Sequence, residues 1–234
     1  MFLNSLLEVS EETTNVVKWI SIVAVLAVFG LLALISLLRK KRVDSKRLAF
    51  AGICVSLSFT LAVMKVKPVA SGGSVTLASF VPVMLYAYVY GLADGLLVGL
   101  VHGLLNFVES PYILTPATFI FDYLLAFLSI GVMGLFGKME RKEKGCMPLV
   151  LGSVTVFSLR FLSHFFSGLI FFLQGAVWVS FPAWATANAA IYSFIYQCVY
   201  IPADCLIATL TLVALCKTGV LDTLVKLMKG KNSV

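Results

Sequence analysis

Asp122, His164 and a group of tyrosines lie inside apolar stretches of this 234-residue chain, and they are the side chains best placed to do chemistry. Asp122 comes early in a run that opens at Pro116, about a turn too late to cap a helix starting there. An acid within a membrane-length segment is costly unless it faces a cavity or a partner, so Asp122 reads as ligand-facing. His164 has Ser163, Ser167 and Gly168 around it, which leaves room beside the ring; a hydrogen-bonded core residue and a ligand contact are both open for it. Arg160, one turn away, reads as pairing within the protein. Tyr192 and Gln197 come from a third apolar run, and Tyr112, Tyr123, Phe172, Trp178 and Trp184 fall at the same ends of their segments.

Belts of Trp and Tyr are ordinary at membrane interfaces. An acid among aromatic faces also suits a flat organic cation, through stacking and cation–π contact of about 0.5–2 kcal/mol each. Acid–base catalysis by Asp122, His164 and Asp204 would need the three to converge, whereas Asp204 reads as several turns away along the last span. With no nucleotide-binding glycine motif and no zinc ligand spacing, the sequence points away from an enzyme and calls for no metal or cofactor.

These residues need a membrane bundle to position them. A mean hydropathy of +1.01, with 60% hydrophobic and 12% charged residues, indicates a polytopic membrane protein. The net charge of +7 comes from basic residues at the ends of apolar runs, which points to membrane orientation and not to nucleic acid. The five cysteines are scattered without a close pair and read as small core residues, neither bridged nor metal-bound.

Residues 1–47 read as an N-terminal anchor, spanning 19–38 and followed by a basic cytoplasmic linker. Residues 48–216 hold six further spans, near 48–66, 75–90, 91–108, 117–137, 148–173 and 187–216, and 217–234 form a basic cytoplasmic tail. Threading from the basic block at 39–47 puts 14 of the 18 basic residues on one side, with the N-terminus outside and the C-terminus in the cytoplasm. Asp122, Tyr123, Tyr192 and Gln197 then sit near the outer ends of their spans, and His164 forms a floor. Gly91, Gly95, Gly99 and Gly103 recur every fourth residue, a spacing for close helix packing. Ala49, Gly52 and Ser56 make a similar face, open to packing within the bundle or to docking a separate membrane protein.

From about residue 48 to 216 the sequence resembles the thiamine-specific S components of energy-coupling factor transporters. The resemblance rests on Gly72-Gly-Ser, Tyr112-Ile-Leu-Thr-Pro, Phe121-Asp-Tyr-Leu-Leu-Ala-Phe, the run from Arg160 to Phe172, and Tyr192-Ser-x-x-Tyr. It implies an all-α integral membrane fold, a six-helix bundle, here preceded by one extra N-terminal transmembrane helix. It implies that Tyr112, Asp122, Tyr123, His164, Gly168, Phe172, Tyr192 and Gln197 surround thiamine, with the acid and tyrosines toward the rings and the amide toward the hydroxyethyl end. Asp122 stands where the family often has Glu, Phe172 where a Trp can stack, and Gln197 in place of a usual Asn, so a thiamine precursor is an alternative cargo. The implied mechanism is capture of vitamin B1 outside a prokaryotic plasma membrane and delivery inward with a membrane coupling subunit and two cytoplasmic ATPases. The Ala49, Gly52, Ser56 face lies where such subunits dock. A gradient-driven carrier working alone is the other reading, and no internal repeat of the kind such carriers show is evident.

Overall fold

The computed structural model describes residues 44–68, 73–139, 145–176 and 181–229, with Trp19 and Gly30 ahead of them. The anchor expected over 19–38 and most of the linker after it therefore lie outside the described residues. Asp44 caps the first described helix, α1 (Ser45–Val63), by accepting from the Lys46 N–H at 3.3 Å. The chain then turns through a two-stranded antiparallel hairpin, β1 (Lys65–Pro68) and β2 (Ser74–Thr76). Five helices follow in the main body: α2 (Val81–Tyr90), α3 (Leu92–Glu109), α4 (Pro116–Phe136), α5 (Met147–Leu173) and α6 (Ala189–Lys217).

Five of these six, all except α2, are long and apolar enough to cross a membrane. The span expected over 75–90 is shorter as a helix, because Ser74–Thr76 is spent on the hairpin and the helix begins only at Val81, with Pro82 in its first turn. The ten residues of α2 compensate by burial, with Val81 to Val89 all enclosed by neighbours. A helix so covered meets protein on every side and needs no lipid-facing stripe.

The glycine ladder does what its spacing predicts. A Cβ on Gly99 would run into the Phe127 carbonyl, and one on Gly103 into the Tyr123 carbonyl, so α3 lies directly against the backbone of α4. That contact sets Phe127 and Tyr123 beside the interior. α4 itself is irregular: Thr115 and Thr118 form a reciprocal cap at its start, Ile120–Leu125 make a π-helical turn, and Ser129–Val132 tighten to 3-10 geometry.

One feature of the far end departs from the sequence reading. Cys146, just ahead of α5, and Cys216, at the end of α6, are joined as a disulfide. Seventy residues of sequence separate them, so only the antiparallel packing of α5 on α6 brings their Cα atoms to 6.0 Å. The tail beyond α6 carries a helix of its own. Residues Val220–Lys229 form α7, which buries Leu221, Val225 and Met228 against the bundle and is tied by the Tyr90 hydroxyl donating to the Met228 carbonyl at 2.8 Å.

Candidate functional site

At the hairpin end the helices enclose a cavity of about 130 Å³. Its floor and walls come from α3, α4, α5 and α6, and the hairpin reaches in beside them. Asp122 enters from the π-helical turn of α4. That turn routes the Ala126 N–H back five residues to the Phe121 carbonyl, which also accepts from the Ser163 hydroxyl of α5 at 2.6 Å. The extra residue in the turn aims the Asp122 carboxylate at α5. There Oδ1 lies 2.8 Å from His164 Nδ1, and Oδ2 accepts from the Ser167 hydroxyl at 2.6 Å.

His164, Ser167, Gly168 and Phe171 all line the cavity, as positions i, i+3, i+4 and i+7 on one helical face should. Phe172 falls about 80° round the helix from His164 and misses that face. It packs on the Tyr192 ring at 5.5 Å between centroids, and the stacking side chain inside is Phe171, parallel to Tyr112 at 5.2 Å. Phe171, and not the Phe172 expected from the sequence, therefore lines the cavity. Gly168 is needed for helix contact, since a Cβ there would strike the Ser193 hydroxyl of α6.

Tyr112, Tyr123, Tyr192 and Gln197 are all at the cavity. The polar ends of Tyr123 and Gln197 are held by neighbours. The Tyr123 hydroxyl donates to the Ser110 carbonyl at 2.6 Å and accepts from the Tyr112 N–H at 3.1 Å, pinning the loop ahead of α4. The Gln197 amide donates to the His164 carbonyl at 3.1 Å, and its oxygen accepts from the Tyr200 hydroxyl at 2.7 Å. Burial, with the Asp122 charge next to it, pushes the Tyr112 phenol above its usual value, so it remains a neutral donor. Trp178 is outside the described residues, and Trp184 is exposed on the loop before α6.

Sequence reasoning missed the depth to which the hairpin penetrates. The Gly73 N–H donates to the Tyr196 hydroxyl at 3.1 Å, and a Cβ on Gly73 would crowd the Tyr196 hydroxyl and the Tyr200 ring. Further along, the Thr76 N–H donates to Asp204 Oδ1 at 2.8 Å. Asp204 is therefore not remote from the site. Its other oxygen pairs with Arg160 at 3.2 Å, and Arg160 Nε donates to His164 Nε2 at 3.3 Å. The guanidinium lies 4.2 Å over the Phe80 ring. The one legible signal was the spacing Arg160-x-x-x-His164, which places both on one face. At the rim, Lys65 pairs with Glu109 at 3.0 Å.

Membrane-length helices around a small, partly open cavity, with a carboxylate among aromatic rings, define a multi-pass membrane protein built to hold a small molecule. The comparisons say which one. The family profile of the thiamine transporter proteins matches residues 48–222, and the chain belongs to that family of transporters, not to an enzyme family. It is 31% identical over 156 residues to the thiamine transporter ThiT of Bacillus subtilis (strain 168), covering 63% of this chain and 77% of that one. Its fold is that of ThiT from Listeria monocytogenes, with a TM-score of 0.61 and 24% identity, covering 78% of this chain and 96% of the other.

Proposed function

We propose that this chain binds thiamine in the cavity and is the substrate-capturing subunit of an energy-coupling factor importer, working with a membrane coupling subunit and two cytoplasmic ATPases. The observation that carries the reading is the Asp122 carboxylate set in a wall of Tyr112, Phe171, Tyr192 and Tyr196. In a chain of the thiamine transporter family, that combination matches a ligand with flat rings and one fixed positive charge. Asp122 answers the charge and the amino group, Tyr112 and Phe171 stack, and Gly168 lets α6 approach closely enough to bring Tyr192 and Gln197 to the ligand. The Gln197 oxygen, which keeps a second lone pair, accepts from the hydroxyethyl end.

The partner surface in this proposal is the outer face of α1. Ala49, Gly52 and Ser56 are all exposed there, and a Cβ on Gly52 meets nothing within 4 Å. The cavity end faces outward across a prokaryotic plasma membrane, and the end bearing Cys146, Cys216 and α7 faces the cytoplasm, in keeping with the distribution of basic residues. Residues 1–47 serve as a separate anchor and linker ahead of the binding domain at 48–216, and 217–234 are the cytoplasmic tail.

Titration of the purified protein with thiamine, read by intrinsic tryptophan fluorescence and calorimetry with the separate pyrimidine and thiazole halves as competitors, tests the ligand. Saturable binding of whole thiamine in preference to both halves is the expected result. A response to one half alone transfers the site to a precursor, and no response to any of the three removes the thiamine reading.

A further inference from the structure

Both ring nitrogens of His164 are engaged, and the two partners differ in kind. Arg160 Nε carries a hydrogen and has no lone pair to offer, so at 3.3 Å it can only donate to Nε2. Nε2 must then present its lone pair, and the ring proton resides on Nδ1, where it is donated to Asp122 Oδ1 at 2.8 Å. Arg160 is itself held from the far side by Asp204, and Asp204 by the Thr76 N–H and hydroxyl at 2.8 and 3.3 Å. The result is one unbroken row running from the hairpin to the cavity: Thr76, Asp204, Arg160, His164, Asp122.

We propose that Arg160 is a positioning residue that fixes His164 as the neutral Nδ1–H tautomer, so that the row keeps a single uncompensated negative charge, on Asp122, for a monocationic ligand. The charges add up in that way. Arg160 cancels Asp204 within the row, Lys65 cancels Glu109 at the rim, and a neutral His164 leaves Asp122 alone facing the cavity. A second proton on His164 would break the bond from Arg160, set two cationic groups side by side and neutralise Asp122. The groups that face the ring are Asp122 from α4, Arg160 on its own helix, and Asp204 and Tyr200 from α6; among these Arg160 alone contacts Nε2 as a donor. The thiamine reading enters only through the ligand used below.

The chain has two histidines, which makes the tautomer directly readable. Nitrogen-15 histidine spectra of the purified ligand-free protein, with His164→Gln to assign the signals, should show His164 neutral and protonated at Nδ1 from pH 6 to 8.5. In Arg160→Gln the Nε2 position should become protonated as the pH falls, and thiamine affinity should drop about fivefold or more between pH 8.5 and 6, while wild type changes less than about twofold. Arg160→Lys, which retains a charged donor, should restore the flat profile. Should Arg160→Gln fail to fold, the pair Arg160→Gln with Asp204→Asn removes the buried acid along with its partner and carries the same expectation for the His164 signal. A wild-type His164 protonated at Nε2, or a spectrum that Arg160→Gln and the pair leave unchanged, overturns the proposal whether or not thiamine binds. Failure of wild type to bind thiamine with the expected spectrum intact overturns the ligand and leaves the tautomer assignment standing.

Discussion

Asp122 meets two protein donors, His164 and Ser167, and still faces the cavity. A carboxylate has about four lone-pair sites, so two bonds anchor the group and the rest remain for a ligand. The charge is what an amide cannot reproduce: an asparagine side chain in its place would keep the shape and offer its N–H groups to atoms that are themselves donors. Asp122→Asn should therefore weaken thiamine binding by about 1.5–3 kcal/mol, the range of a hydrogen bond to a charged group. Calorimetry on the variant checks this, and unchanged affinity would take Asp122 out of the binding role. The same residue-scale logic separates Phe171 from Phe172. One position along a helix turns a side chain by about 100°, so a ring inside the cavity and a ring packed behind Tyr192 are neighbours in sequence.

At the scale of elements, α1 and α3 use small residues to opposite ends. On α3, Gly99 and Gly103 lie against α4 backbone, so they are consumed in holding Tyr123 and Phe127 in place. On α1 the small residues look outward, where no described part of the chain covers them. Gly52→Leu is accordingly expected to leave thiamine affinity within about twofold of wild type, because nothing folds against that position, and, on the importer proposal, to abolish uptake when the chain is co-expressed with a coupling subunit and ATPases. Binding on purified protein and vitamin uptake by cells, measured on the same variant, separate the two effects; equal loss of both would place α1 in the fold and not at a docking surface.

For the whole molecule, the two ends of the bundle differ in construction. One carries the hairpin, the Lys65–Glu109 pair and the cavity, and the other the Cys146–Cys216 bridge and the amphipathic α7. With the native cysteines replaced by serine, a cysteine introduced at Ala187 should react with an impermeant maleimide on intact cells, and one introduced at Thr218 only after the membrane is opened. Both positions are exposed, so labelling reports sidedness and not burial. The reverse pattern would invert the chain and turn the cavity toward the cytoplasm.

The sequence by itself determined the membrane class and the helical bundle, and it pointed to Asp122 and His164, because each rests on a local property. Hydropathy sets the spans, glycine spacing sets the α3–α4 contact, and a costly acid in an apolar run marks the site before any contact is known. Only the tertiary structure decided the rest. Asp204 lies far from Asp122 in sequence, and no periodicity reveals that a hairpin dips between the helices to receive it through Thr76. The Cys146–Cys216 bridge is hidden for the same reason, since scattered cysteines carry no spacing signal until two antiparallel helices bring their ends together. The π-helical turn that aims Asp122 is chosen by packing against α5, where Ser163 bonds the Phe121 carbonyl. Long-range hydrogen bonds and shared cavities belong to the assembled bundle, and one stretch of sequence does not contain them.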